Sequence, residues 1–136
     1  MTVTIEALAH KGEGRATVDG EVLHVPFTLP GETARVAPDG RGRARLFEVL
    51  EPSDARVVPP CRHFGTCGGC ALQHMDRDAL LAWKREQVVA SLAARGLGDV
   101  EPLVEPTVDA GGEGRRRAVL AATRAGQKTL LGFHER

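Results

Sequence analysis

All three cysteines of this 136-residue chain fall within one stretch, CRHFGTCGGC, at Cys61, Cys67 and Cys70. Their spacing is C-x5-C-x2-C. Thiolates this close together suit soft, thiophilic centres, chiefly zinc and iron-sulfur clusters. Gly68 and Gly69 fill the short interval. Without Cβ atoms they let the backbone fold tightly around a metal centre and point amide hydrogens at sulfur. Disulfides fit less well, because three is an odd number and nothing marks the chain for secretion. MTVTIEALAHKGEG lacks the basic and apolar regions of a signal peptide, and no stretch approaches the ~18 apolar residues of a membrane span. The sequence therefore reads as cytoplasmic, with no membrane partner, in a compartment that keeps thiols reduced.

Two ways of completing the ligand set remain open from spacing alone. His74 follows Cys70 by four residues, so that Cys61, Cys67, Cys70 and His74 would make a Cys3His zinc site within the chain. A cluster would instead need a further ligand. The C-x3-C-x2-C pattern of radical-SAM clusters is disfavoured by the longer first interval.

The elements that must hold these residues are short. TVTIE (2 to 6), RATVD (15 to 19), EVLHV (21 to 25), TARVA (33 to 37) and RARLFEVL (43 to 50) alternate β-branched or apolar with polar residues, and turn signals separate them. Five such strands in about 55 residues predict a small all-β barrel, OB-like or SH3-like, spanning residues 1 to 57. Asp19-Gly20 predicts a two-residue hairpin turn, and Pro30-Gly31 and Asp39-Gly40 mark two more. PSDARVVPP, residues 52 to 60, connects the barrel to the cysteines, with Pro59-Pro60 holding the entry extended. Residues 76 to 95 predict a helix capped by Asp76, with Asp78 at the positive end of its dipole and Gly96 at its left-handed end. Leu81, Val88 and Leu92, widened by Leu80 and Val89, give it an apolar stripe. A Pro- and Gly-rich linker (98 to 114) precedes two further strands, 117 to 124 and 129 to 134, expected to pair as a hairpin. Residues 58 to 136 thus look like the start of an α+β domain.

Charge excludes a globally basic, nucleic-acid-coating protein: 18 Lys and Arg balance 18 Asp and Glu. Any RNA or DNA contact must be local. Arg35, Arg41, Arg43 and Arg45 surround one turn, with Asp39 opposing them, and could follow a phosphate backbone or form a solvated hairpin edge. Arg115, Arg116 and Arg117 are denser, where the linker becomes a strand. Phe47 and Phe64 are candidates for base stacking, although Phe47 in an alternating strand is expected in the barrel core and Phe64 could shield a metal centre. His10, His24 and His134 are expected to pack or face solvent. Gly12-x-Gly14 and Gly111-Gly112-x-Gly114 read as turns or linker, since neither continues as G-x-G-x-x-G between a strand and a helix.

The segment PPCRHFGTCGGCALQHMDRDALLAWKREQVVASLAARG resembles the cluster region of the RNA (uracil-5-)-methyltransferases, in particular the 23S ribosomal RNA branch with a [4Fe-4S] cluster. The matching residues are Cys61, Cys67, Gly68, Gly69, Cys70, Leu72-Gln73-His74 and Ala82-Trp83-Lys84. The resemblance extends to GEGRA (12 to 16), VPFTLPGE (25 to 32) and VLEPS (49 to 53), which look like runs of the RNA-binding TRAM barrel. RRRAVLAA (115 to 122) and LGFHER (131 to 136) resemble strands opening the central domain.

The resemblance implies that Cys61, Cys67 and Cys70 are three of four cluster ligands, the fourth lying beyond LGFHER, outside this chain. It further implies ribosomal RNA and the remainder of the methyltransferase as partners. S-adenosylmethionine would belong to the parent enzyme only. The SAM-binding domain, the nucleophilic cysteine and the base that removes the C5 proton have no counterpart here. On this expectation the chain alone methylates nothing, and its cysteines are ligands with no catalytic part. A stand-alone TRAM-type RNA-binding module with a zinc site completed by His74 is the alternative.

Overall fold

The computed structural model describes residues 1–111 and 117–135. Six strands, β1 (Thr2–Thr4), β2 (Ala7–Leu8), β3 (Gly14–Val18), β4 (Glu21–Val25), β5 (Thr33–Pro38) and β6 (Ala44–Glu51), form two three-stranded antiparallel sheets ordered β1-β5-β6 and β2-β3-β4. Val3, Ile5, Ala16, Leu23, Val25, Ala34, Val36 and Ala44 fill the space they share, giving the small barrel-like domain expected from the alternation.

The strand expected over residues 2 to 6 ends at Thr4, and β2, which the sequence did not announce, follows it. Ile5 sits at a corner where the chain leaves one sheet for the other: its N–H donates to the Glu32 carbonyl (2.8 Å), and the next N–H, of Glu6, donates to the Arg15 carbonyl (2.8 Å). Ile5 is 1% exposed, so the corner is also core. Alternation cannot reveal such a corner, because the residues keep their polarity pattern while the partner strand changes. The Asp19-Gly20 turn has φ of 52° and 82°, the double left-handed geometry that a two-residue hairpin needs.

A larger departure lies in β6. Arg35 pairs with Glu48 while Val36 pairs with Leu46, so Phe47 is an extra residue opposite the β5 strand; Leu50 is skipped in the same way between Val49 and Glu51. Such bulges let Leu46 and Val49, three positions apart, both turn inward and become half-buried, which no straight strand allows. Phe47 is therefore 62% exposed and not a core residue.

After β6 the chain folds back on the barrel. Arg56 bridges to Met75, the Val57 N–H donates to the His74 carbonyl (2.9 Å), and the Asp76 N–H donates to the Ala55 carbonyl (2.8 Å). Buried Leu72 packs on Gly12, where an added Cβ would lie 3.0 Å from Leu72 Cγ. Helix α1 (Arg77–Ala93) starts as expected, the Asp76 carboxylate accepting from the Asp78 and Ala79 N–H groups, both at 3.0 Å. No residue of α1 is buried, however, and Val88 of the expected stripe is 51% exposed. The described chain covers that stripe only in part. Arg85 ties α1 to a 3-10 helix, Gly98–Leu103, by donating to the Val104 and Glu101 carbonyls, within what the sequence presents as linker.

The final hairpin pairs β7 (Ala121–Ala125) with β8 (Lys128–Gly132), so residues 117 to 120, expected as strand, precede it as irregular chain. Among the described residues no helix is long and apolar enough to cross a membrane.

Candidate nucleic-acid interface and cysteine loop

The β5-β6 hairpin carries the four arginines expected to meet phosphate, and their partners divide them. Arg35 pairs with Glu48, its cross-strand neighbour, and Arg43 pairs with buried Glu13 at 2.6 Å. The expected surplus of three positive charges is thus reduced by carboxylates that only the sheet register and the β2-β3 loop bring near. Arg41 and Arg45 form no ion pair among the described residues. Arg45 instead lies over the exposed Phe47 ring, 5.7 Å from its centroid. Asp39 is spent locally: its carboxylate accepts from the Arg41 (2.8 Å) and Arg43 (3.2 Å) N–H groups, and the Arg41 bond above all holds its pKa below the ordinary value. Arg115 and Arg116 lie outside the described residues; Arg117 is exposed just before β7.

A cleft of about 510 Å³ opens between this hairpin and the cysteine loop, lined by Pro26, Phe27, Ala44, Arg45, Leu46 and Gly65 among others. Phe27 has a φ of 67°, a conformation rare and strained for a bulky side chain. A partly buried ion pair holds it there. Arg56 donates to the Phe27 carbonyl (2.8 Å) and, through the same Nη2, to the Glu32 carboxylate (2.8 Å), which also accepts from the Leu29 N–H (2.8 Å). Burial alone would raise the Glu32 pKa, but Arg56 and the Leu29 and Ser53 N–H groups outweigh it and hold the carboxyl below its usual value. Sequence reasoning missed this Glu32-Arg56-Phe27 unit. Its members are 24 and 29 residues from Arg56, and no spacing rule joins them.

In the cysteine loop, Cys61 is exposed and Cys67 and Cys70 are half-buried. The Gly69 N–H donates to Cys67 Sγ at 3.4 Å. Gly68 donates to the His134 carbonyl at 2.8 Å, and a Cβ there would come within 2.7 Å of the same oxygen. The β8 tail, through the Cys67-Glu135 bridge and the Phe133 ring beside Gly69, closes one side of the loop. Phe64 closes another, its centroid 5.2 Å from Phe27 and 5.3 Å from His74. Thiolate donors, a backbone N–H on sulfur and aromatic walls fit a soft metal centre in chemistry. In geometry, no three His, Cys, Asp or Glu side chains among the described residues gather to hold a metal ion. His74, the alternative zinc ligand, is 1% exposed and packed with Phe64 and Phe27.

Of the remaining histidines, His10 is exposed and meets Gln87 of α1 (3.3 Å), His24 is half-buried in β4, His63 is exposed in the cysteine loop and accepts from Arg62 Nε (3.1 Å), and His134 is exposed.

Comparison with known proteins adds ancestry to this geometry. Residues 1–37 match the TRAM domain family. Over 98% of its length the chain is 47% identical to a protein of Caulobacter vibrioides named "Uncharacterized RNA methyltransferase", of which it covers 32%. A Brucella suis protein also named as an RNA methyltransferase is 47% identical over 97% of the chain and 31% of its own length. The protein named "23S rRNA (uracil(1939)-C(5))-methyltransferase RlmD" from Francisella tularensis subsp. novicida is 39% identical over 97% of the chain and 31% of its own length. The chain spans about a third of the length of these relatives. It carries a TRAM domain and is homologous, over nearly all its length, to the N-terminal part of longer proteins named RNA methyltransferases and 23S rRNA uracil-C5 methyltransferases.

Proposed function

We propose that the chain is the RNA-holding and cluster-holding part of a SAM-dependent RNA (uracil-5-)-methyltransferase acting on ribosomal RNA. The observation that carries the reading is the 39% identity to the Francisella protein across 97% of the chain, cysteine loop included. On this reading the barrel (1 to 57) grips RNA through Arg41 and Arg45, with Arg35 and Arg43 positioned by their carboxylate partners. Arg115, Arg116 and Arg117 add phosphate contacts. Residues 58 to 136 form the cluster loop, the helix and the opening strands of a central domain. The methyl-transfer chemistry belongs to the rest of the parent enzyme, which supplies S-adenosylmethionine, the nucleophilic cysteine and the base.

Cys61, Cys67 and Cys70 would hold a [4Fe-4S] cluster together with a fourth ligand from the parent enzyme. Bound there, the cluster supplies a covalent cross-link for a segment with little core of its own. The chain's contribution is to present three thiolates, to direct the Gly69 N–H at Cys67 and to wall off water with Phe64 and Phe133. The packing of His74 against Phe64 supports a shielding part for that ring over a ligand's.

Anaerobic purification with iron, sulfide and zinc analysis tests the metal assignment. Iron and acid-labile sulfide in near-equal amounts, lost on replacing any two of the three cysteines by Ser, are expected. One equivalent of zinc without sulfide, lost in His74→Ala, would establish the Cys3His reading instead. The purified chain is also expected to transfer no methyl group from labelled S-adenosylmethionine to ribosomal RNA.

A further inference from the structure

We propose that Phe47, with Arg45 and the adjoining cleft, is a docking site for an unpaired base of single-stranded RNA. The inference rests on the RNA-binding reading above and specifies the chemistry of that surface.

Three independent observations converge. The first is the bulge at Phe47, which sets this residue outside the ladder and leaves a large aromatic ring 62% exposed, more than any other large apolar side chain of the barrel. Bulges commonly re-aim a side chain next to a functional site. The second is Arg45. It forms no ion pair among the described residues and lies over the Phe47 ring, so a planar cation and a planar ring stand together on one face of β6. Aromatic rings and guanidinium planes are the surfaces on which unstacked bases settle, and a cation beside the ring meets the flanking phosphate. The third is the cleft that Arg45 shares. Its walls combine apolar Pro26, Phe27 and Leu46 with charged Asp39, Arg43 and Arg45, and its volume of about 510 Å³ falls in the usual range for small-molecule sites. The Arg56-Glu32 pair fixes strained Phe27 in that wall, the kind of local strain that a structure retains at binding sites.

The charge arrangement favours a base within a nucleic-acid strand over an apolar protein side chain. Arg45 lies over the platform ring and forms no ion pair among the described residues, a cation placed to meet the phosphate beside a stacked base, whereas a protein partner would have to bring an acidic residue to it.

Fluorescence anisotropy on the full chain tests the proposal, using a labelled ten-nucleotide single-stranded RNA and an abasic strand of the same length. Phe47→Ala is expected to weaken binding of the intact strand by about tenfold, within the range for loss of one stacked base. Its salt dependence should stay unchanged, because no phosphate contact is removed. The abasic strand is expected to bind the parent chain and Phe47→Ala equally, and Phe47→Trp to restore affinity for intact RNA. Arg41→Gln should instead weaken both strands alike and flatten the salt dependence. Equal binding of intact RNA by Phe47→Ala and the parent chain would overturn the base site while leaving RNA binding in place, and would leave the platform to a protein partner. Displacement of the strand by an equal concentration of mononucleotide would overturn it in favour of a free nucleotide. Failure of the parent chain to bind either strand would remove both this proposal and the RNA-binding reading.

Discussion

The barrel and the segment after it are built from similar residues but are held together differently. In residues 1 to 57, two sheets close over a continuous core in which Val25, Leu29 and Ala34 are wholly inaccessible, and even the charged Glu32 is buried beneath its half-buried partner Arg56. Beyond residue 57, only Leu72 and His74 are buried among the described residues, while Val88, Leu103, Val119, Leu130 and Leu131 stand open to solvent. A barrel shares its apolar faces internally and closes its edges; one helix and one hairpin have no second layer to do this. The second segment therefore relies on docking to the barrel at residues 55 to 57 and 72 to 76.

The sharpest way to break this comparison is through ion pairs. Arg56→Ala strands the inaccessible Glu32 carboxylate, and about 3–5 kcal/mol of stability should be lost in urea unfolding. Arg77→Ala, which removes the exposed Arg77-Asp109 pair, should leave the urea midpoint unchanged, although that pairing holds the Asp109 pKa at about 2. Equal effects of the two substitutions would contradict the contrast.

Apolar truncation asks the same question of packing. Ile5→Ala, at the barrel corner, should cost about 2–5 kcal/mol, whereas Leu130→Ala in β8 should fall within about 0.5 kcal/mol of the parent chain. A large loss at Leu130 would mean that the hairpin is packed in solution.

Acid should find the barrel's buried carboxylate next. The Glu32 pKa is lower in the folded chain than its ordinary value, so the folded state binds that proton less readily than the unfolded state. Its contribution to stability is then fully present above the unfolded pKa of about 4.3 and lost as pH falls through the depressed folded value. Urea midpoints measured from pH 7 to pH 3 should show this loss, and Glu32→Gln should flatten the slope.

A smaller loss than those in the barrel is expected at the helix cap of the second segment. Asp76→Ala removes the acceptor for the Asp78 and Ala79 N–H groups and should cost about 1 kcal/mol, read as fraying of α1 by circular dichroism and amide exchange. If α1 then melts entirely while barrel amides keep their protection, the two segments unfold separately and the comparison is sharpened.

Much of this was legible in the sequence because the governing physics is local. A two-residue turn with both φ angles positive selects Asp19-Gly20, and an exposed first-turn N–H pair selects Asp76, so both could be named from their types and spacing. The β-branched alternation likewise determined a small barrel. Tertiary structure decided what depends on partners distant in the chain. The corner at Ile5 exists because Glu32 and Arg15 supply hydrogen-bond acceptors to successive residues. The bulge at Phe47 arises where β5 and β6 fall out of step, which moved this ring from an expected core position to the surface. Pairing with Glu48 and Glu13 neutralised Arg35 and Arg43 and left Arg41 and Arg45 as the available cations. Residue type and spacing encode what a short stretch can do; register and closure of the sheets decide which side chains are left to do it.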